Sequence, residues 1–84
     1  MHFKAVAVDD DQSALSLALS ELKKNNAVSE AIGFTSPKEA LNYIKDHFVP
    51  VVFLDIRMPE LDGLTLAERI LEINPRTNII FITT

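Results

Sequence analysis

The chain has 84 residues, of which 48% are apolar and 24% are charged, and its formal net charge is −4. This balance fits one folded domain and argues against a disordered segment, which would carry fewer apolar residues. The acidic surplus and the scattered basic residues argue against a surface for nucleic acids or anionic membranes. The chain has no cysteine for a disulfide framework and no apolar run long enough to cross a bilayer, so we expect a cytoplasmic protein.

The first predicted strand runs from Phe3 to Val8 and stops at the three aspartates of residues 9–11. Helical spacing follows from about Asp11 to Lys24. The apolar face of this helix consists of Leu15, Ala18, Leu19 and Leu22. A second and weaker strand is predicted from Val28 to Phe34, where Gly33 interrupts the apolar positions.

The second predicted helix has a clear start, because Ser36 can cap it and Pro37 suits its first position. Glu39 can complete a capping box with Ser36. We expect this helix to bury Ala40, Leu41, Ile44 and Phe48. The continuous apolar run of residues 51–54 then predicts a strand that is covered on both faces, and Asp55 follows it directly.

Residues 56–63 are predicted to form a loop in which Asp62 and Gly63 supply turn chemistry. A third helix follows and ends before Pro75. Its predicted apolar face consists of Leu64, Ala67, Ile70 and Leu71. Residues 79–82 are predicted to be a last buried strand that runs into Thr83 and Thr84.

The predicted order, βαβαβαβ, is typical of an α/β fold with a doubly wound parallel sheet and helices on both faces. Ligands of such sheets bind beyond the carboxyl ends of the strands. The stretch of residues 79–84, which contains the fourth strand and the two threonines after it, is apolar and prone to pairing, so its edge would form an exposed pairing surface. We therefore expect a homodimer or an exchange of segments through strand four.

Acidic side chains collect at the predicted carboxyl ends of the strands. Asp9 and Asp10 follow the first strand, Asp55 follows the third, and the Thr83 hydroxyl follows the fourth. If the first and third strands are neighbours, these carboxylates converge, and two charges 4 Å apart repel by about 4 kcal/mol at an effective dielectric of 20. A cation would relieve the repulsion, and oxygen ligands without nitrogen or sulfur favour Mg²⁺. Structural roles remain open as well, because Asp11 or Asp10 could cap the first helix.

Three stretches together resemble the receiver domain of two-component response regulators: VAVDDDQ after the first strand, LDIRMPELDG around Asp55, and IIFITT at the fourth strand. The resemblance covers the chain from end to end. It implies a flavodoxin-like fold with strand order 2-1-3-4 in the part present. The family has five βα units, so residues 1–84 are expected to be a receiver domain that is incomplete at its C-terminus.

The resemblance also implies roles for individual residues. Asp55 would be the phosphoacceptor, taking a phosphoryl group from a sensor histidine kinase or a phosphotransfer protein. Asp10 and Asp55 would bind Mg²⁺ directly with the backbone carbonyl of Arg57, and Asp9 would bind it through water. Thr83 would be the switch hydroxyl. The domain would act as a signalling phosphoacceptor that catalyses its own phosphorylation and dephosphorylation, not as an enzyme for a separate substrate.

Two other functions fit parts of the sequence. A pseudo-receiver would keep the fold and serve as an interaction module without phosphate. A phosphatase of the haloacid dehalogenase type would use Asp9 as nucleophile and Asp11 as general acid, but it leaves the LDIRMPELDG stretch unexplained.

Overall fold

The computed structural model describes residues 2–82, which form a four-stranded parallel sheet with helices on both faces. The elements are β1 (Phe3–Val8), α1 (Gln12–Lys23), β2 (Val28–Phe34), α2 (Pro37–Asp46), β3 (Val51–Asp55), α3 (Gly63–Ile73) and β4 (Asn78–Ile82). The strands lie in the order β2-β1-β3-β4, and each neighbouring pair is parallel. The predicted fold class and strand order are therefore confirmed. Across residues 2–82, the helices are too short or too polar to span a membrane.

The main core lies between the sheet and the pair formed by α2 and α3. Leu54 of β3 and Leu66 and Ile70 of α3 are fully buried there. Burial of one such side chain contributes about 1.5–3 kcal/mol. Helix α1 covers the opposite face, where it packs on β1 and β2 and buries Leu15. The sheet is thus held from both sides, and its carboxyl-terminal edge stays open to solvent.

Three apolar side chains that the sequence predicted to be buried are exposed. Phe48 is 56% exposed, because α2 ends at Asp46 and Phe48 lies in the connection that follows. Leu64 and Leu71 are 56% and 39% exposed. The buried face of α3 is rotated from the predicted one and comprises Gly63, Leu66, Ala67 and Ile70.

The prediction that strand four is buried is also wrong for the described residues. Ile80 and Phe81 of β4 are 44% and 38% exposed, and Phe53 of β3 is only partly buried. The reason is that α1 lies over β1 and β2 and leaves an apolar groove of about 440 Å³ beside β4. Pairing of two copies of the chain through strand β4 stays a prediction.

Candidate functional site

The register of the sheet brings the two predicted acidic strand ends together. Strands β1 and β3 are neighbours, and Val8 lies opposite Leu54. Asp9 and Asp55 each follow this pair by one residue, so both lie at the carboxyl-terminal edge of the sheet. The predicted convergence of Asp9 and Asp55 at one edge of the sheet is therefore confirmed.

Asp9, Asp10 and Asp55 form a compact carboxylate cluster, in which each residue offers an oxygen and these oxygens all lie within 4.8 Å of one another. Asp9 is buried, Asp55 is half-buried and Asp10 is exposed. The cluster opens into a cavity of about 550 Å³. Carboxylate oxygens around an accessible space suit a hard divalent cation such as Mg²⁺. The donor set therefore fits the metal that the resemblance implied.

The electrostatics of the cluster centre on Asp9, a residue that is only 8% exposed. Burial raises the pKa of Asp9 above its usual value, and the nearby charges of Asp55 and Asp10 raise it further. The backbone N–H of Asp11 acts in the opposite direction, because it donates to Asp9 Oδ1 at 2.9 Å. The net effect is that the charged form of Asp9 is less favourable in the fold than in water, and a bound cation would offset this difference.

The structure settles which aspartate caps α1. Asp11 Oδ1 accepts hydrogen bonds from the backbone N–H of Ser13 at 2.9 Å and of Ala14 at 3.4 Å. The cap is therefore Asp11 and not Asp10. A side chain held in this way is poorly placed to act as a general acid, which counts against the phosphatase hypothesis.

The loop that follows Asp55 is fixed to the end of the strand. The Arg57 N–H donates to Asp55 Oδ1 at 3.3 Å, and Met58 is buried. The Gly63 N–H donates to Ile56 O at 2.9 Å. A Cβ at Gly63 would overlap the backbone oxygen of Asp55 and lie 2.8 Å from Ile56 Cα, so this approach requires glycine.

Asp62 and Gly63 have roles that differ from the predicted turn. Asp62 is the N-cap of α3 and accepts a hydrogen bond from the Thr65 N–H at 2.9 Å. Gly63 is the first residue of that helix. The sequence signal was present, since Asp is a preferred N-cap residue, but it was interpreted as a turn.

Two further predicted site residues have different outcomes. Arg57 lines the cavity beside the carboxylates. Its predicted role, a metal contact through the backbone carbonyl, stays a prediction. Thr83, the predicted switch hydroxyl, lies outside the described residues, as does Thr84.

Residues 5–84 match the family model described as the response regulator receiver domain. The chain belongs to the response regulator receiver family. The receiver resembles the transcriptional regulatory protein YpdB of Escherichia coli, with 33% identity over 79 residues, which are 93% of this chain and 32% of that protein. It also resembles a protein-glutamate methylesterase/protein-glutamine glutaminase of Oleidesulfovibrio alaskensis, with 37% identity over 73 residues, which are 87% of this chain and 20% of that protein.

Among solved structures, the receiver is similar to the receiver domain of the histidine kinase CKI1 from Arabidopsis thaliana complexed with Mg²⁺ and BeF₃⁻. The identity is 28% and the TM-score is 0.87, with 96% of this chain and 65% of that chain covered. The 84 residues thus span about a third of the length of YpdB, and less than two thirds of the CKI1 receiver chain. The fold of the described strands and helices is the receiver fold.

Proposed function

We propose that this receiver domain accepts a phosphoryl group on Asp55 in a reaction that requires Mg²⁺. The observation that carries the proposal is the convergence of Asp9, Asp10 and Asp55, whose carboxylate oxygens lie within 4.8 Å of one another. Phosphoryl transfer depends mainly on positioning and on neutralisation of charge, and an acid cluster that holds a cation supplies both.

The metal would be held by Asp10 and Asp55 directly, by the carbonyl of Arg57, and by Asp9 through water. The CKI1 receiver was crystallised in complex with Mg²⁺ and BeF₃⁻, which supports Mg²⁺ binding by this receiver. When bound, Mg²⁺ offsets the negative charge of the carboxylates and of the phosphoryl oxygens. The buried Asp9 is the carboxylate that gains most, because its charge is the least solvated.

Asp55 is the proposed nucleophile. Its Oδ1 accepts the Arg57 N–H, which fixes the rotation of the carboxylate, so we assign the attack to Oδ2. A bond forms between Oδ2 and the phosphorus of a phosphohistidine, and the N–P bond breaks. The electron pair returns to the imidazole nitrogen, and the products are an aspartyl phosphate and a histidine.

A sensor histidine kinase or a phosphotransfer protein is the proposed donor, and regulation of an output is the proposed consequence. The new phosphoryl charge would stand at the end of β3, next to the loop that Met58 and Gly63 pack against the sheet. Charge added beside such a loop can bias it between two arrangements. Thr83 is the proposed hydroxyl that responds to the phosphoryl group.

The test is the intact mass of the protein after incubation with acetyl phosphate, with Mg²⁺ or with EDTA. We expect the gain of one phosphoryl group, which requires Mg²⁺ and is removed by hydroxylamine. Asp55→Asn should show no gain. Asp62→Asn is the matched control, because asparagine also caps helices and Asp62 lies outside the cavity. A wild-type protein that gains no mass would instead support a pseudo-receiver.

A further inference from the structure

The peptide link between Asp62 and Gly63 is of a kind that is chemically reactive in peptides. Of the two glycines in the sequence, Gly33 and Gly63, only Gly63 follows an aspartate or an asparagine. Because glycine has no side chain, its backbone nitrogen can approach the carboxyl carbon of the preceding residue without steric hindrance. Asp62 is also exposed to solvent. The link is therefore a candidate for cyclisation within the chain.

The reaction rearranges the main chain and needs no reactant other than water. The Gly63 nitrogen bonds to the carboxyl carbon of Asp62, a bond from that carbon to oxygen breaks, and that oxygen leaves as water with the amide proton. The product is a five-membered succinimide. Water then adds to one of the two ring carbonyls. Addition at the main-chain carbonyl leaves Gly63 attached through the side chain, as isoaspartate, whereas addition at the other carbonyl restores aspartate.

Hydrogen bonds hold both reacting groups in other contacts. Asp62 Oδ1 accepts the Thr65 N–H at 2.9 Å, and the Gly63 N–H donates to Ile56 O at 2.9 Å. In the succinimide, the Gly63 nitrogen carries a carbon atom where the N–H now points, and that carbon would overlap Ile56 O. The ring can therefore form only after the Asp62 carboxyl group has left its cap and Gly63 has moved away from Ile56.

We propose that the Asp62–Gly63 link is a modification site, at which isoaspartate forms only while residues 56–63 are locally open. The closed loop protects the link. Local opening of a surface loop costs less free energy than global unfolding, so local opening sets the rate. This inference does not depend on the proposed function, because it concerns only the loop.

The modification would affect the packing beside Asp55. Isoaspartate lengthens the main chain by one carbon between Asp62 and Gly63. Gly63 now packs so closely that an added Cβ would overlap Asp55 O, and its N–H is bonded to Ile56 O. A longer link would displace Gly63 from both contacts. The modified protein should therefore have a lower Tm than the unmodified protein.

The experiment follows isoaspartate at position 62 over time in the full chain, in native buffer and in concentrated urea at the same pH. Electron-transfer fragmentation of the digested protein distinguishes isoaspartate from aspartate. We expect formation in native buffer to be about tenfold slower than in urea, because the closed loop excludes the reaction.

Thr65→Pro tests the hydrogen bond that holds the Asp62 carboxylate. It removes the N–H that Asp62 accepts, and proline is tolerated in the first turn of a helix. We expect isoaspartate to form about fivefold faster than in the wild type in native buffer, as for the loss of a helix cap. In urea the two rates should be equal, because the reacting residues are the same.

Thr77→Val separates local opening from global unfolding. Thr77 Oγ1 donates to Val49 O at 2.8 Å at the opposite edge of the sheet, so this variant destabilises the fold without touching the loop. Its rate in native buffer should equal that of the wild type. The urea midpoints of both variants are measured as well, so that rates are compared with the global stability known.

Three results would overturn the inference. Equal rates for the wild type in native buffer and in urea would show that the loop gives no protection. Equal acceleration in Thr65→Pro and Thr77→Val would show that global unfolding sets the rate. A link that forms no isoaspartate even in urea would not be a modification site. Each of these results leaves the phosphoacceptor role of Asp55 intact.

Discussion

The two edges of the sheet differ in how their polar groups are partnered. At the amino-terminal edge, Lys4 Nζ donates to the Tyr43 hydroxyl at 2.9 Å and lies 3.5 Å from the Glu30 carboxylate. The hydrogen bond to Tyr43 and the charge of Glu30 raise the pKa of Lys4. Nearby, the buried Thr77 Oγ1 donates to Val49 O at 2.8 Å. Lys4, Glu30 and Thr77 thus have partners within the described chain.

Negative charge predominates at the carboxyl-terminal edge, where four aspartates and one arginine line the cavity. Three carboxylates crowd together there, and burial raises the pKa of Asp9. Groups with shifted pKa values are common at functional sites, whereas fully hydrogen-bonded polar networks more often stabilise the fold. The contrast is consistent with a stabilising role for the amino-terminal edge and supports the proposal that the carboxyl-terminal edge binds a cation and a phosphoryl group.

The largest effect on folding should come from Gly63→Ala, which tests how tightly the site edge is packed. The new Cβ would meet the backbone of Asp55 and Ile56, which cannot move without displacing the strand end. We expect a loss of about 2–4 kcal/mol in the free energy of unfolding, measured by urea denaturation.

Gly33→Ala is the matched control for Gly63→Ala. Its Cβ would meet only side-chain atoms of Leu19 and Leu15, which can rotate away. The loss in the free energy of unfolding should therefore be smaller than for Gly63→Ala. Equal costs for the two substitutions would contradict the account of the close approach at Gly63.

Thr77→Val tests the hydrogen-bonded groups at the amino-terminal edge. It removes the hydroxyl that donates to Val49 O and leaves a buried carbonyl without its partner, at a cost of about 1–3 kcal/mol. In a domain of this size, each kcal/mol lowers the Tm by about 4–8 °C. Phosphorylation, measured well below the Tm, should be unchanged. A reduced phosphorylation rate would show that the two edges are not independent.

Asp9→Asn tests the carboxylate cluster at the carboxyl-terminal edge and should stabilise the metal-free protein. Because the pKa of Asp9 is raised in the fold, wild-type stability decreases as the pH rises from 3.8 through the raised value and remains lower above it. Asparagine keeps the oxygen that accepts the Asp11 N–H and removes the charge. We expect a gain of about 1 kcal/mol at pH 7 in EDTA, measured by thermal melting.

The same variant should lose the stabilisation that Mg²⁺ gives the wild type, which is about 1.4 kcal/mol at ten times the Kd. Asp46→Asn, at the exposed end of α2, is the control and should show neither effect. A less stable Asp9→Asn protein in EDTA would contradict the account of the cluster.

The smallest effect on stability is expected for Lys4→Met at the amino-terminal edge. The contacts with Tyr43 and Glu30 are solvent-accessible, so the Tm should fall less than in Thr77→Val. A raised lysine pKa means that the stabilisation is complete below pH 10.5 and is lost as the pH rises through the raised value. The difference in Tm between wild type and Lys4→Met should therefore be constant near neutral pH and narrow above pH 10.5.

Much of the fold could be predicted because strands and helices alternate with clear signals at their ends. Ser36 and Pro37 mark the start of α2, and the run of residues 51–54 marks β3. The buried faces of the helices were harder to predict. The spacing of apolar residues identifies an apolar stripe along a helix, but tertiary packing decides which residues of that stripe are covered. Leu64 and Leu66 are equally apolar, yet only Leu66 meets the core.

The candidate site was predictable in position but not in its electrostatics. Acids at the ends of neighbouring parallel strands must meet, so Asp9 and Asp55 could be placed together from the strand order. The burial of Asp9 and the bond from the Asp11 N–H depend on the turn between β1 and α1, which spacing does not specify.

The most direct test of the central claim is to locate the acyl phosphate chemically. After incubation with acetyl phosphate and Mg²⁺, reduction with borohydride converts a phosphorylated aspartate into homoserine, and peptide mass spectrometry identifies its position. The account predicts homoserine at position 55 and an unchanged aspartate at positions 9 and 10. Homoserine at position 9 or 10, or none at position 55 in protein that has gained a phosphoryl group, would contradict it.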